Sequence, residues 1–123
     1  MKVASIQMSV VEGDKAATID KAIENIHRCE GSDLAILPEI WNIGFMSFDR
    51  YLSEAEDSAG QTLKRLRTAA KEVGVYLHTG SFVEEKKGKY YNSSYLISPD
   101  GNVLANYLKV HLFGYNSKET QLL

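Results

Sequence analysis

The alternation of apolar and polar positions predicts strands and helices in turn over the first half of the chain. Residues 2–8 alternate in the manner of a strand, and residues 34–37 are four apolar residues in a row, which predicts a short strand buried on both faces. Apolar residues recur at helical spacing over 19–29 and over 63–73. A glycine that can end a helix follows each stretch, and the first helix is expected to end at Gly31.

The second half of the chain is predicted to be mostly strand. We expect strands over residues 75–79, 81–83, 90–97 and 103–113. The acidic stretch 49–58 is expected to hold a short helix and a turn, and residues 84–89 a solvated charged turn. Pro99-Asp100-Gly101 is a strong turn signal before the last strand. This order of elements is typical of an α/β fold rather than of a helical bundle.

Composition places the chain among ordinary globular proteins. Its 123 residues suit one domain, 1–123, with 44% hydrophobic and 24% charged residues. A net charge of −2 gives no electrostatic footprint for nucleic acid or a membrane surface, and the opening residues are too polar for a signal peptide. Cys29 is the single cysteine, which excludes an internal disulfide and a zinc site of paired cysteines and fits a cytoplasmic protein.

Glu39 is the first candidate for chemistry. Pro38 ends the apolar strand because it lacks a backbone donor, and Glu39 follows at the strand's carboxyl end, where ligands collect in open α/β sheets. Partial burial at that position makes a carboxylate a usable general base. The alternative is structural, because a glutamate after a proline can also cap a turn or pair with a nearby lysine.

An apolar loop follows Glu39. Trp41 and Phe45 lie in this loop, and aromatic side chains beside a candidate carboxylate suggest a pocket wall. Tyr115, late in the chain, is a third aromatic candidate for the same wall. Each of these side chains could equally pack into the core. Cys29 lies on the apolar stripe of the first helix, where a buried thiol is expected rather than a nucleophile.

The last predicted strand contains two titratable side chains among apolar neighbours. Lys109 and His111 share one strand face with Tyr107. Lys109 either extends its ammonium group to solvent or serves a partner. In the second case it would donate hydrogen bonds to charge that develops on a carbonyl oxygen, with Glu39 as its ion-pair partner.

Four short motifs occur in order along the chain. They are Val3-Ala4-Ser5-Ile6-Gln7-Met8, Leu37-Pro38-Glu39, Asn92-Ser93-Ser94-Tyr95-Leu96-Ile97 with Pro99-Asp100-Gly101, and Tyr107-Leu108-Lys109-Val110-His111-Leu112-Phe113. Together they resemble the nitrilase superfamily of carbon–nitrogen hydrolases. The resemblance covers essentially the whole chain. Within the superfamily the chain is most similar to small aliphatic amidases of the ω-amidase type.

The resemblance implies roles for several residues. Glu39 matches the general base of the family's Glu–Lys–Cys triad, and Lys109 matches its oxyanion-stabilising lysine. Glu119 resembles the second active-site glutamate, which positions the lysine and the substrate, and His111 is implied to lie near the site. The implied fold is an αββα sandwich, which in this family usually dimerises face to face. No metal or organic cofactor is implied.

The nucleophilic cysteine of the family lies on a strand beyond the lysine motif. No cysteine follows Lys109 in this chain, and Cys29 does not match the family's nucleophile. The resemblance therefore implies that the 123 residues are the N-terminal half of the hydrolase domain, truncated before the cysteine-bearing strand.

Two functional hypotheses follow from these residues. The first is an amidase-type hydrolase for a small amide or nitrile, homo-oligomeric in its complete form and inactive as this chain alone. The second is a non-catalytic module that binds a carbonyl or carboxylate ligand, or pairs with another chain through its incomplete sheet. Hydrolysis through Cys29 is a third alternative. Amidases, carbamoylases and nitrilases share the triad, so each of these substrate classes is compatible with the motifs.

Overall fold

The computed structural model describes residues 1–123 and contains six strands and three α-helices. The strands are β1 (Val3–Ser5), β2 (Leu34–Ile36), β3 (Tyr76–His78), β4 (Phe82–Lys86), β5 (Lys89–Ile97) and β6 (Val103–Leu108). The helices are α1 (Lys15–His27), α2 (Gln61–Val73) and α3 (Lys118–Leu122), with one 3-10 turn at Phe48–Arg50. Judged by length and hydropathy, none of these helices could span a lipid bilayer.

The six strands form one mixed sheet. β1, β2 and β3 lie side by side in parallel, and β3 pairs with β5 in the antiparallel sense. Ser93 of β5 pairs with Phe82 of β4 and also with Leu108 of β6, so β4 and β6 occupy opposite edges of β5. The segment that follows β6 therefore runs beside Asn92, the preceding residue of β5.

Helices α1 and α2 cover one face of this sheet. Their apolar stripes pack with Leu77, Tyr95 and Ile97 in a core of 16 buried residues. Because side chains alternate along a strand, Asn92 and Leu96 lie on the opposite face. The chain is therefore an α/β structure with one helical layer on one sheet, which is half of the layers expected of an αββα sandwich.

The second face of the sheet is only partly covered. A loop over residues 40–51 packs there against Val83 in a second buried cluster. Elsewhere on this face, Val3 and Tyr76 are 47% and 46% exposed and flank the half-buried Leu34. The prediction that β2 is buried on both faces is wrong for this chain, because the helices cover only one of them.

The two long helices are confirmed, with one difference in their ends. The Asp14 side chain accepts the Ala17 N–H at 2.9 Å and begins α1, and Gly74 ends α2 with φ = +72°. α1 ends at His27, four residues before Gly31, because the chain leaves the helix through a turn.

The predicted charged turn over 84–89 belongs instead to the hairpin of β4 and β5. Glu84 is fully buried and accepts a hydrogen bond from the Tyr95 hydroxyl at 2.5 Å. The turn itself consists of Lys87 and Gly88, which both have positive φ. A run of charged residues looks solvated in sequence, but here a tyrosine of the neighbouring strand donates to one carboxylate oxygen of Glu84, and Lys86 Nζ lies 3.4 Å from the other.

Three other predicted segments differ in extent. β1 spans Val3–Ser5 rather than 2–8, and β6 ends at Leu108 rather than at Phe113. After Leu108 the chain leaves the sheet toward α3, so the side chains beyond it no longer alternate between two faces. The acidic stretch 49–58 contains the end of one 3-10 turn and a single β-bridge to β4, without an α-helix.

Candidate active site

Three charged side chains that the sequence analysis singled out meet beside β5. Lys109 Nζ lies 2.6 Å from Glu39 Oε1, and 3.3 and 3.4 Å from the two carboxylate oxygens of Glu119. One ammonium group therefore contacts two carboxylates. We call Glu39, Lys109 and Glu119 the charged cluster.

The turn after β2 positions Glu39. Pro38 O accepts the Ser81 N–H at 3.0 Å, and the Ile40 N–H donates to Ser81 Oγ at 3.0 Å. Gly80 permits this approach, because a Cβ on it would lie 1.8 Å from Pro38 O and its φ is +61°. The segment before β4 thus holds the residues on both sides of Glu39.

The backbone is strained immediately after Glu39. Ile40 has φ = +42°, a left-handed conformation that is unfavourable for a β-branched residue and persists only where its surroundings enforce it. The hydrogen bond to Ser81 and the complete burial of the Ile40 side chain supply that enforcement. Such outliers concentrate at functional sites, which points to this turn as part of a site.

Strand pairing positions Lys109, although it lies one residue beyond β6. Its backbone N–H donates to Asn92 O at 2.9 Å, which continues the pairing of β5 and β6 by one residue. Its ammonium nitrogen is 5.8 Å from the centroid of the Phe45 ring, within the range of a cation–π contact. The lysine therefore does not extend freely into solvent.

Helix α3 positions Glu119. The Ser117 side chain accepts the Thr120 N–H at 3.3 Å at the start of this helix. Glu119 is fully buried, and its Oε2 accepts the Phe113 N–H at 2.5 Å. A buried carboxylate is unfavourable unless it is hydrogen-bonded and paired, and Phe113 and Lys109 supply part of what it needs.

Asn92 completes the arrangement and was assigned no role from the sequence. Its Nδ2 donates to Glu39 Oε1 and to Glu119 Oε1, each at 2.9 Å. The available signal was a polar amide in the middle of a strand, within a motif that resembles the family. That signal does not reveal the two acceptors, because they lie 53 and 27 residues away in sequence.

The cluster combines one buried and one accessible carboxylate. The Glu39 side chain is 48% exposed and Lys109 26%, whereas Glu119 is inaccessible to solvent. Burial lowers the pKa of Lys109, but the hydrogen bonds and charges of the two glutamates outweigh it and leave that pKa raised. Burial raises the pKa of Glu119, but bonds from Asn92, Phe113 and Lys109 outweigh it and leave that pKa lowered.

An open polar cavity of about 260 Å³ adjoins the cluster. Glu39, Lys109 and Asn92 line it, together with His78 and Tyr107. The cavity gives small molecules access to the accessible carboxylate and the ammonium group. Glu39 is thus more exposed than the sequence analysis expected, and its environment is set mainly by the neighbouring cation rather than by burial.

The other predicted site residues lie in different places. Phe45 is half-buried beside Lys109 and packs edge-on against Phe113 at 6.0 Å between ring centroids. Trp41 is in the helix-side core and donates its indole N–H to Thr79 O at 2.8 Å. His111 and Tyr115 are exposed, and the cavity includes neither of them. Of the three proposed wall residues, only Phe45 is close to the cluster.

Cys29 is separated from the cluster by the sheet. It belongs to the helix-side core, its Sγ lies 3.3 Å from Asn25 O, and burial raises the pKa of its thiol. Asn92 and the cluster side chains it contacts are on the other face. The structure contains no group of three or more histidine, cysteine, aspartate or glutamate side chains arranged to hold a metal ion.

A family comparison decides what kind of domain surrounds this site. The model of the carbon–nitrogen hydrolase family matches residues 2–122, which is nearly the whole chain. The chain belongs to the carbon–nitrogen hydrolase family.

Individual members of the carbon–nitrogen hydrolase family agree with this assignment. The omega-amidase NIT2 of Xenopus tropicalis is 35% identical over 113 residues, which cover 89% of this chain and 40% of the relative. An (R)-stereoselective amidase of Pseudomonas sp. is 34% identical over 114 residues, 92% of this chain and 41% of the relative.

A solved structure shows the same fold. Nit3 of Saccharomyces cerevisiae, a member of branch 10 of the nitrilase superfamily, superposes with a TM-score of 0.86 at 29% identity. The superposition covers 100% of this chain and 47% of Nit3. The carbon–nitrogen hydrolase chain described here therefore spans less than half the length of the relatives it matches.

Proposed function

We propose that the charged cluster is the acid–base and oxyanion-stabilising part of an amidase-type active site that acts on small amides. The observation that supports this most is the contact of Lys109 Nζ with Glu39 Oε1 at 2.6 Å, beside an open cavity of about 260 Å³. A glutamate of this exposure can exchange a proton with a substrate. The adjacent ammonium group can stabilise negative charge on a carbonyl oxygen.

The proposed reaction uses a cysteine thiol as nucleophile. Glu39 takes the thiol proton, and the thiolate attacks the amide carbon while Lys109 stabilises the charge that develops on oxygen. Glu39 then returns the proton to the nitrogen, ammonia leaves, and a thioester remains. Water attacks the thioester, Glu39 accepts a proton from that water and returns it to the thiolate, and the carboxylic acid leaves. These steps need no metal or organic cofactor.

The thiol in this proposal comes from outside residues 1–123. Cys29 is the only cysteine of the chain, and it is buried on the opposite side of the sheet from the cluster. We therefore expect the 123 residues alone to release no ammonia from amides, because the covalent route has no nucleophile. In the complete enzyme we propose a homo-oligomer, and nitriles are a second substrate class compatible with the same groups.

The proposal is tested by complementing the chain. The 123 residues are joined to the C-terminal remainder of the Xenopus tropicalis omega-amidase, and ammonia release from short-chain amides is measured for this complemented protein and for the chain alone. We expect turnover only by the complemented protein. We also expect Glu39→Gln to abolish it and the control Glu30→Gln, an exposed glutamate of another segment, to preserve it.

Two outcomes would contradict the proposal. Clear ammonia release by the unmodified 123-residue chain would overturn the assignment of roles, since it would require a different nucleophile. Full activity of the Glu39→Gln complemented protein would remove Glu39 as the base. Mass spectrometry of the complemented protein with an amide is expected to detect a thioester adduct on the added cysteine.

A second candidate function is a non-catalytic module that pairs with another chain. The observation that favours it is the partly uncovered sheet face, where Val3 and Tyr76 are nearly half exposed. Apolar side chains exposed on a sheet face attract a partner surface. Analytical ultracentrifugation of the 123-residue chain tests the pairing, because a clean monomer over a range of concentrations contradicts it. A stable dimer together with no turnover by the complemented protein favours the non-catalytic module over the amidase.

A further inference from the structure

The side chain of Asn92 lies between the two carboxylates of the charged cluster and contacts both. We propose that Asn92 is a positioning residue that keeps the buried Glu119 ionised and, by donating to Oε1 of Glu39, leaves Oε2 of Glu39 as the oxygen that exchanges protons. This inference deepens the proposed function and rests on it for the meaning of that proton exchange. It concerns a residue outside the Glu–Lys–Cys triad.

The first step concerns the chemistry of the amide group. The two N–H bonds of Asn92 Nδ2 reach Glu39 Oε1 and Glu119 Oε1, each at 2.9 Å. An amide nitrogen donates and does not accept, so each of these oxygens must be an acceptor. Donation to the charged form of a carboxylate favours that form. Asn92 therefore stabilises both negative charges without adding a charge of its own.

The second step concerns the charge balance of the cluster. Two carboxylates and one ammonium group have a net charge of −1, and a single cation 2.6 Å from Glu39 and 3.3 Å from Glu119 is shared unequally. Without further donors, two carboxylates beside one site tend to retain a proton between them. The amide of Asn92 is 3% exposed and supplies two donors where little water can reach.

The third step concerns which oxygen remains available. Both the ammonium group of Lys109 and the amide of Asn92 donate to Oε1 of Glu39, at 2.6 and 2.9 Å. Neither bond involves Oε2, and the Glu39 side chain is 48% exposed toward the cavity. A proton arriving from a thiol or from water therefore meets Oε2, because Oε1 already accepts two hydrogen bonds.

The backbone of Asn92 adds to this effect. Its carbonyl oxygen accepts the Lys109 N–H at 2.9 Å, so the same residue sets the main-chain position of the lysine and donates hydrogen bonds to both glutamates. A replacement that keeps the backbone and the side-chain shape separates the donor function from packing. Asn92→Leu does this, since leucine has a similar size and no charge but lacks the N–H bonds.

The experiment is an NMR titration of the 123-residue chain with carboxyl-labelled glutamate. In the unmodified chain, Glu119 is expected to titrate below the ordinary range for a glutamate. In Asn92→Leu its midpoint is expected to rise by about one pH unit or more, because Glu119 loses a donor and no charge is added. The matched control is Asn106→Leu on β6, because Asn106 donates to Ser93 Oγ and Ser94 O and does not touch the cluster.

Two results would overturn the inference. One is an Asn92→Leu chain that keeps the Glu119 midpoint of the unmodified chain. The other is measured on the unmodified chain, and so applies even if Asn92→Leu does not fold: the side-chain N–H resonances of Asn92 must shift as Glu119 titrates. If they stay constant through that pH range, Asn92 does not contact the ionised carboxylate of Glu119.

The outcome for Asn92 is separable from the outcome for amide hydrolysis. The titration reports proton occupancy in the chain and involves no turnover. An unmoved Glu119 midpoint contradicts the role of Asn92 while leaving the proposed reaction intact. A complemented protein that releases no ammonia contradicts the proposed reaction while leaving the donor function of Asn92 intact.

Discussion

Two regions of this molecule place one lysine between two glutamates, and only one of them has the features of an active site. In the charged cluster, Lys109 joins Glu39 and Glu119 beside a cavity. In the second region, which we call the Lys15 network, Lys15 Nζ lies 2.8 Å from Glu56 Oε2 and 3.8 Å from a carboxylate oxygen of Glu54.

The difference lies in what the carboxylate oxygens contact. In the Lys15 network, Glu56 Oε1 accepts the backbone N–H of Thr62 at 3.0 Å, and its Oε2 accepts both the Thr62 hydroxyl and the lysine. Both oxygens are thus engaged in beginning α2. In the cluster, both hydrogen bonds of Glu39 go to Oε1 and none goes to Oε2, on a side chain that is 48% exposed and lines the cavity. A lysine between two glutamates therefore does not by itself indicate an active site. The feature that distinguishes the charged cluster is an accessible carboxylate oxygen that accepts no hydrogen bond from the protein.

The largest expected effect separates the two lysines by activity. In the complemented protein, Lys109→Met is expected to lower ammonia release by about 10²–10³-fold, because the charge on the carbonyl oxygen loses its stabilising cation. Lys15→Met, the matched change in the other region, is expected to leave the rate per folded molecule within about twofold. Equal losses in the two variants would show that both lysines act only through stability.

Glycine replacements separate the two regions by backbone strain. Gly80→Ala is expected to destabilise the chain by about 3 kcal/mol or more, because the new Cβ meets a backbone oxygen at 1.8 Å and the residue has positive φ. Gly60→Ala is expected to cost less, about 2 kcal/mol, since its φ is ordinary although the new Cβ would lie 2.6 Å from Glu56 Cβ and 3.1 Å from Asp57 O. Urea unfolding measures both. A Gly80→Ala chain as stable as the unmodified one would contradict the close approach.

Removing each cation tests how far each network supports the fold. Lys15→Met is expected to lower the free energy of unfolding by about 2 kcal/mol, because Glu56 is largely buried and loses its charged partner. Lys109→Met is expected to cost at least as much, about 2–3 kcal/mol, since the fully buried Glu119 loses its charged partner, whereas the half-exposed Glu39 can turn toward water. Chemical denaturation of the two variants measures both losses, and a Lys109→Met chain as stable as the unmodified one would contradict the pairing of the buried Glu119.

The smallest expected effect is on the pH dependence of stability. Hydrogen bonds and nearby cations outweigh burial and lower the pKa of Glu56, as they do for Glu119. A lowered folded-state pKa stabilises the fold above the unfolded value of about 4.3, and that stability is lost as pH falls through the folded-state value. The free energy of unfolding, measured by urea denaturation between about pH 5 and 2, is expected to fall less steeply in Glu56→Gln and Glu119→Gln, each by up to about 1.4 kcal/mol per pH unit.

A control for this titration is Glu30→Gln, which changes an exposed glutamate that takes part in neither network. Its pH dependence is expected to match that of the unmodified chain. If Glu119→Gln also matches the unmodified chain, the buried carboxylate contributes no ionised partner to the cluster.

Some of the site could be predicted from sequence because the signals are local. An apolar run followed by proline and glutamate leads to Glu39, and a lysine among apolar strand residues leads to Lys109. Combining these two signals predicts the contact between Glu39 and Lys109. Glu119 followed only from resemblance, since nothing in residues 117–123 by itself indicates a buried carboxylate.

Other features could not be predicted because they depend on strand pairing. Glu84 looks solvated until Tyr95 of the adjacent strand is placed beside it, and Asn92 has no evident role until three distant segments converge on it. The end of β6 is also not visible in the local sequence, because the alternation of apolar residues continues past Leu108 while the chain leaves the sheet toward α3. In each case the sequence shows the residue type, but it does not show which distant residue lies beside it in the folded chain.

The wide separation of the cluster residues has a consequence for biosynthesis. Glu39 and Lys109 are 70 residues apart, and Glu119 follows 10 residues later, near the end of the sequence described here. During translation, the parallel strands and α1 can emerge and pair well before the ammonium group and the last glutamate leave the ribosomal tunnel. A nascent chain whose Lys109 is still inside the tunnel is therefore expected to have β1, β2 and β3 paired while Glu39 still faces water without its cation.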